Sequence, residues 1–184
     1  MTTEKVYVAL LRGINVAGSK VILMGDLKNV FEGAGFSQVK TYIQSGNVVF
    51  MSRGKEHQGL ERVIKDVIKG AFRFDVRVAV LELSELERII QKNPYDGTGL
   101  KKGERIYLTI LSEKPDKERV GELRKAKNSD DDFEVIGKTV YMLCRKGYAK
   151  SVFNNNAIEK VLKVNATTRN LETMIKLVEM GKSI

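Results

Sequence analysis

Polar groups without long charged side chains crowd the short stretch Gln44-Ser45-Gly46-Asn47, between the apolar runs Thr41-Tyr42-Ile43 and Val48-Val49-Phe50. Gln44, Ser45 and Asn47 offer amide and hydroxyl groups that donate and accept hydrogen bonds. Gly46 takes φ > 0 without steric cost, so Ser45-Gly46 reads as the tight turn of a β-hairpin over 38–51. A second polar stretch, Arg12-Gly13-Ile14-Asn15-Val16-Ala17-Gly18-Ser19-Lys20, follows the apolar run Val6 to Leu11. Two cations, the amides and a hydroxyl are equipped to hold an anion or a polar small molecule. The Asn side chains are equally suited to tying turns together.

Gly13 to Lys20 invites comparison with the phosphate-cradling pattern G-x-x-x-x-G-K-[ST]. The glycine spacing matches, but Ser19 and Lys20 are reversed, and Val21-Ile22-Leu23 separates Lys20 from the next helix. Lys20 then does not sit at a helix N-terminus, and a nucleotide-hydrolase loop is not expected. Thr167-Thr168-Arg169-Asn170 reads as the opening of the last helix, with Thr167 or Thr168 as cap. Its N–H groups and Arg169 form either an anion site or simple capping.

Other chemistry is sparse. One histidine, His57, and one cysteine, Cys144, support neither a zinc site nor a Ser-His-Asp arrangement. Cys144 lies in an apolar strand pattern and reads as a reduced core thiol. Asp130-Asp131-Asp132 reads as a solvated loop. No metal and no cofactor are expected. Tyr7 and Phe50 are the aromatics that an RNA-binding sheet would have to expose.

These groups are positioned by a recognisable order of elements. Val6 to Leu11 is apolar throughout, as in a strand covered on both faces. A helix over about 24–33 follows, then the hairpin. Leu60, Val63, Ile64, Val67, Ile68 and Ala71 recur at helical spacing, and Val76 to Leu83 is a strand. This is β-α-β-β-α-β, the ferredoxin-like unit. Ser84 with Glu87 reads as a capping box, and Asn93-Pro94 stops that helix. The pattern restarts with a strand over Arg105 to Leu111 and a helix capped by Asp116. A hairpin around Gly137-Lys138 and a helix opened by Asn156 with Glu159 follow. Tyr7 pairs with Tyr107, and Val48 to Met51 with Thr139 to Met142, in the alignment that this duplication implies. The fold class is α+β: two ferredoxin-like (α-β plait) halves with antiparallel sheets, plus C-terminal helices. The expected domains are 1–83 and 105–184, joined by a helix and linker over 84–104. The strand order 4-1-3-2 brings the Arg12–Lys20 loop and the Gln44–Asn47 tip to one edge of the first sheet.

The chain has 184 residues and 42% hydrophobic content, enough for real cores. The net charge of +9 is spread over both halves; residues 138–182 hold nine basic and three acidic residues. Basic surface favours anionic partners, nucleic acid included. No stretch approaches the roughly 20 apolar residues of a membrane span, and no secretory pattern opens the chain. A cytoplasmic protein without a membrane partner is expected. No feature of the chain specifies an oligomeric state.

Ala9 to Val16, Thr41 to Phe50 and Thr167 to Asn170 together resemble the three signatures of the domain of unknown function family 1697. The resemblance spans nearly the whole chain and implies two α-β plait halves. The third motif of that family usually continues with an aromatic residue, where this chain has Leu171. The leading functional expectation is a binding protein for a small anionic ligand. Arg12, Lys20 and Arg169 would supply charge. Asn15, Gln44, Ser45, Asn47, Thr168 and Asn170 would orient the ligand, with Gly13 and Gly46 allowing close approach. Nucleic-acid binding through 138–182 and a metal-independent enzyme stand beside it.

Overall fold

The computed structural model describes residues 4–53, 57–95, 97–125, 131–148 and 151–184. The chain divides into two compact units, Met1–Arg88 with Ile175–Ile184, and Ile89–Met174.

The first unit begins β1 (Glu4–Arg12), α1 (Met24–Gly33), β2 (Ser37–Tyr42), β3 (Asn47–Arg53), α2 (His57–Phe72), β4 (Arg77–Glu82). Its sheet runs β2-β3-β1-β4, and every pairing is antiparallel. The apolar run of β1 is explained by burial on both faces, since Val8, Ala9, Leu10 and Leu11 are fully buried. Tyr7, Ala9 and Leu11 belong to the core built with Leu27 and Phe31 of α1 and with Leu60, Ile64 and Ile68 of α2. Those three α2 residues lie four apart and so share one helix face. Phe31, Phe36 and Phe50 meet with ring centroids 4.6–5.6 Å apart, a contact beyond simple area burial. One extra residue bulges β2 between Ser37 and Lys40, where Gln38 has φ +52°.

The hairpin loop is longer than the expected two-residue turn. Tyr42 pairs with Asn47, leaving Ile43 to Gly46 as a four-residue loop. At the following helix, α3 (Leu83–Gln91), Ser84 is not the cap: it lies inside the helix and its hydroxyl donates to the Glu82 carboxylate at 3.0 Å.

The second unit carries β5 (Arg105–Leu111), α4 (Lys117–Lys125), β6 (Asp131–Ile136), β7 (Thr139–Cys144), α5 (Asn155–Leu162) and β8 (Ala166–Asn170). α6 (Leu171–Lys182) closes the chain. The sheet order, β6-β7-β5-β8, repeats the first. β8 is a fourth strand where a helix opening was expected. Thr167–Asn170 pair with β5, and Asn170 caps α6 by accepting from the Thr173 N–H at 2.8 Å. α5 is likewise capped by Asn154, not Asn156. Asp131 and Asp132 start β6 instead of lying in a loop; Asp130 lies outside the described residues. The registers also move the internal alignment by one residue. Ala9 faces Val48 and Thr109 faces Val140, so Val48 matches Val140, while Tyr7 and Tyr107 do correspond. A one-residue slip exchanges the faces of a strand, so the register decides which side chains are equivalent.

Candidate functional site

The loop after β1 and the tip of the β2–β3 hairpin meet at one edge of the first unit. The Leu11 N–H donates to the Gly46 carbonyl at 2.8 Å. Gly46 has φ +78°, and a Cβ there would lie 2.6 Å from Ile14 Cδ1 and 2.8 Å from Leu11 Cβ. Only glycine fits both the conformation and the approach. Ile14 and Ile22, near the two ends of the loop, are buried in the core. Between them Asn15 acts as a three-way tie. Its Nδ2 donates to the carbonyls of Ile22 (3.0 Å) and Gln44 (2.8 Å), and its Oδ1 accepts from the Ile22 N–H (2.8 Å). Asn47 is fully buried and donates to the Tyr42 carbonyl and to Ser45 Oγ, both at 3.0 Å. Lys20 donates to the Asp75 carbonyl at 2.7 Å, with its ammonium 5.8 Å from the centre of the Phe74 ring.

The edge is conformationally strained. Asn15, Ala17, Lys20 and Ile43 all have φ between +47° and +54°. Asn tolerates this region; for other non-glycine residues it costs roughly 1–2 kcal/mol each. Gln44 and Ser45 are exposed, Arg12 is half-buried, and Gly13, at φ +76°, lies in the open. Arg12 stands directly across from Arg77 in the β1–β4 register. Around these polar groups lie four exposed apolar side chains, Val16, Val21, Leu23 and Ile43. Sequence reasoning missed this apolar rim and Arg77. The signal was Val21-Ile22-Leu23, an apolar run in a loop of which only the middle residue is buried.

The remaining expected site residues lie in the second unit and have local partners there. Thr168 is buried; its hydroxyl sits 2.6 Å from that of Thr109 and donates to Asn155 Oδ1 at 2.7 Å. Because Thr168 gives its one proton to Asn155, Thr109 is the donor to Thr168. Arg169 donates to the Thr168 carbonyl at 2.9 Å; desolvation by burial lowers its pKa to about 10, which leaves it charged at neutral pH. Asn170 is occupied as the α6 cap.

Tyr7 and Phe50 are buried and stack on each other at 5.9 Å, so neither is a platform for RNA bases. Cys144 is fully buried, and desolvation pushes its thiol up to about 11, the opposite of an activated nucleophile. Asp131 is buried, and Asp132 accepts from Arg145 at 2.6 Å, so these carboxylates serve the second sheet. Among the described residues no cluster of His, Cys, Asp and Glu could hold a metal ion. Among them, too, no helix is long and apolar enough to cross a membrane.

Comparison with known proteins agrees with this architecture. The family model described as "Protein of unknown function (DUF1697)" matches residues 4–141, about three quarters of the chain, and the chain belongs to that family. The conserved bacterial protein SP0830 from Streptococcus pneumoniae has a similar structure, with a TM-score of 0.73 at 23% identity. The match covers 97% of this chain and 99% of that one, and it extends to the fold alone. No functionally curated protein matches the chain.

Proposed function

We propose that this DUF1697 protein binds a small anionic or polar ligand at the edge built from residues 12–23 and 43–47. The observation that carries the reading is the strain stored there. Four non-glycine residues occupy the left-handed region within this one edge. The second unit makes the same strand-to-helix step over 112–116, with no residue of positive φ. Folding a plait therefore does not require the longer, strained loop, and strain held in place by surrounding ties is characteristic of binding sites.

The roles divide accordingly. Asn15 and Gly46 hold the loop against the hairpin, Asn47 ties the hairpin tip to itself, and Lys20 ties the far end of the loop to Asp75. Arg12 brings positive charge, and Gln44 and Ser45 present amide and hydroxyl groups at the surface. Val16, Val21, Leu23 and Ile43 favour a ligand with an apolar body beside its polar group, such as a phosphorylated metabolite or a nucleotide.

The test is a thermal-shift screen of phosphorylated metabolites and nucleotides. It compares wild type, Arg12→Ala and the double variant Gln44→Ala/Ser45→Ala. A ligand held at about 100 times its Kd stabilises the wild type by about 2.7 kcal/mol. Gln44 is exposed, whereas Ser45 Oγ accepts from the buried Asn47, so the double variant should lose about 1 kcal/mol of unliganded stability and the whole of the ligand shift, read against its own unliganded midpoint. An undiminished shift in both variants would place binding elsewhere.

A further inference from the structure

The second unit has a cavity of about 310 Å³ where the loop after β5, α4 and the β6–β7 hairpin meet. Lys114, Lys117 and Arg124 line it together with Pro115, Val120 and Val135. Among the described residues no carboxylate lines it. Among the described residues neither Lys114 nor Lys117 is in an ion pair; Arg124 touches Glu134 at 3.3 Å, an exposed contact that leaves other guanidinium N–H groups available. Like charges gathered around a concave surface with apolar walls focus a positive potential into it.

The helix itself contributes a second observation. Lys117, Val120, Gly121 and Arg124 stand at i, i+3, i+4 and i+7 and so form one face of α4, the face that lines the cavity. Gly121 sits in the helix interior, where glycine is less stable than alanine. Packing does not demand it: a Cβ at this position would meet nothing within 4 Å. Its backbone φ is not positive either. What the missing side chain does provide is open space on the cavity face.

We propose that this cavity binds a small phosphomonoester with an apolar body. The phosphate would take Lys114, Lys117 and Arg124, and the apolar body would lie against Pro115, Val120 and Val135 over the open surface at Gly121. Lys and Arg donors are well matched to a phosphate dianion, and the volume suits a small molecule rather than a polymer. The site is distinct from the first-unit edge and does not depend on it.

Calorimetric titration with phenyl phosphate tests this, using inorganic phosphate, benzyl alcohol and a single-stranded oligonucleotide as comparison probes. Phenyl phosphate is expected to bind saturably with 1:1 stoichiometry and more tightly than inorganic phosphate, and benzyl alcohol not at all. Lys114→Ala/Lys117→Ala should weaken phenyl phosphate by about tenfold or more, since each lost charge-assisted hydrogen bond is substantial. Gly121→Leu, which keeps every charge and favours the helix, should weaken it comparably by filling the space. Circular dichroism confirms folding of both variants. No saturable binding to the wild type would overturn the proposal, as would equal binding to Gly121→Leu. Oligonucleotide binding that is lost in the lysine variant, without any response to phenyl phosphate, would overturn it in favour of a nucleic-acid surface.

Discussion

The same corner of the plait is built twice in this chain, and the two copies differ. In each unit the last leucine of the first strand donates its N–H to a hairpin carbonyl, Leu11 to Gly46 at 2.8 Å and Leu111 to Lys138 at 2.9 Å. Beyond that shared bond the designs part. In the first unit a long loop folds back, plugs the corner with Ile14 and Ile22, and is tied to the hairpin by Asn15. In the second a short connection leaves the corner open as a cavity with cationic lining. The backbone frame of a plait thus tolerates either a filled or a hollow corner, and the loop after the first strand decides which. Filling is done with a tightly tied, strained surface; hollowing is done with a glycine and three cations.

The sharpest way to break this comparison is at the two hairpin tips. Gly46→Ala forces a Cβ into Ile14 and Leu11 at a positive φ. It should destabilise the protein by about 2–4 kcal/mol in urea unfolding. Gly137→Ala also meets a positive φ, but nothing lies within 4 Å of the new Cβ, and about 1 kcal/mol is expected. Equal effects would mean that the first corner is not filled as described.

The loop ties come next. Asn15→Ala removes three hydrogen bonds and leaves the part-buried Ile22 N–H without its acceptor, for a loss of about 2–3 kcal/mol. In the short loop of the second unit, Ser112 Oγ accepts from the exposed Asn165 N–H at 3.1 Å, and Ser112→Ala should cost about 1 kcal/mol or less. Thermal unfolding of the two variants side by side measures the difference. The smallest effect has the opposite sign. Gly121→Ala adds a methyl group in open space and should raise stability by about 0.5–1 kcal/mol. A destabilised Gly121→Ala would show that the glycine serves packing rather than the cavity.

Much of the frame was legible in the residues. The apolar run of β1 and the four-residue spacing of Leu60, Ile64 and Ile68 identify their elements because burial on a fixed period leaves a fixed pattern. The plait order then follows from the sequence of elements. β8 was illegible because Thr167-Thr168-Arg169-Asn170 carries no apolar alternation. It becomes a strand only by pairing with β5, and the buried Thr109–Thr168–Asn155 chain satisfies its hydroxyl. Asp131 and Asp132 looked like a solvated loop because charge in a strand needs a distant partner. Arg145, thirteen residues on from Asp132, supplies it. At the candidate edge the residue types were legible but not their direction. Asn15 and Asn47 turn inward to hold the structure, while Gln44 and Ser45 remain exposed. The cavity could not be read at all, because three separate segments line it.

Recognition at the first-unit edge is tested most directly by amide-resolved NMR, titrating the phosphorylated metabolite that gives the largest thermal shift. Saturable shifts are expected at Gly13, Gly18 and Ser45, and they should persist in Lys114→Ala/Lys117→Ala, which removes the cationic lining of the cavity at Gly121 and Gly137. Shifts confined to Gly121 and Gly137 would contradict this, moving recognition of that ligand to the hollow corner and leaving the strained loop without the role assigned to it.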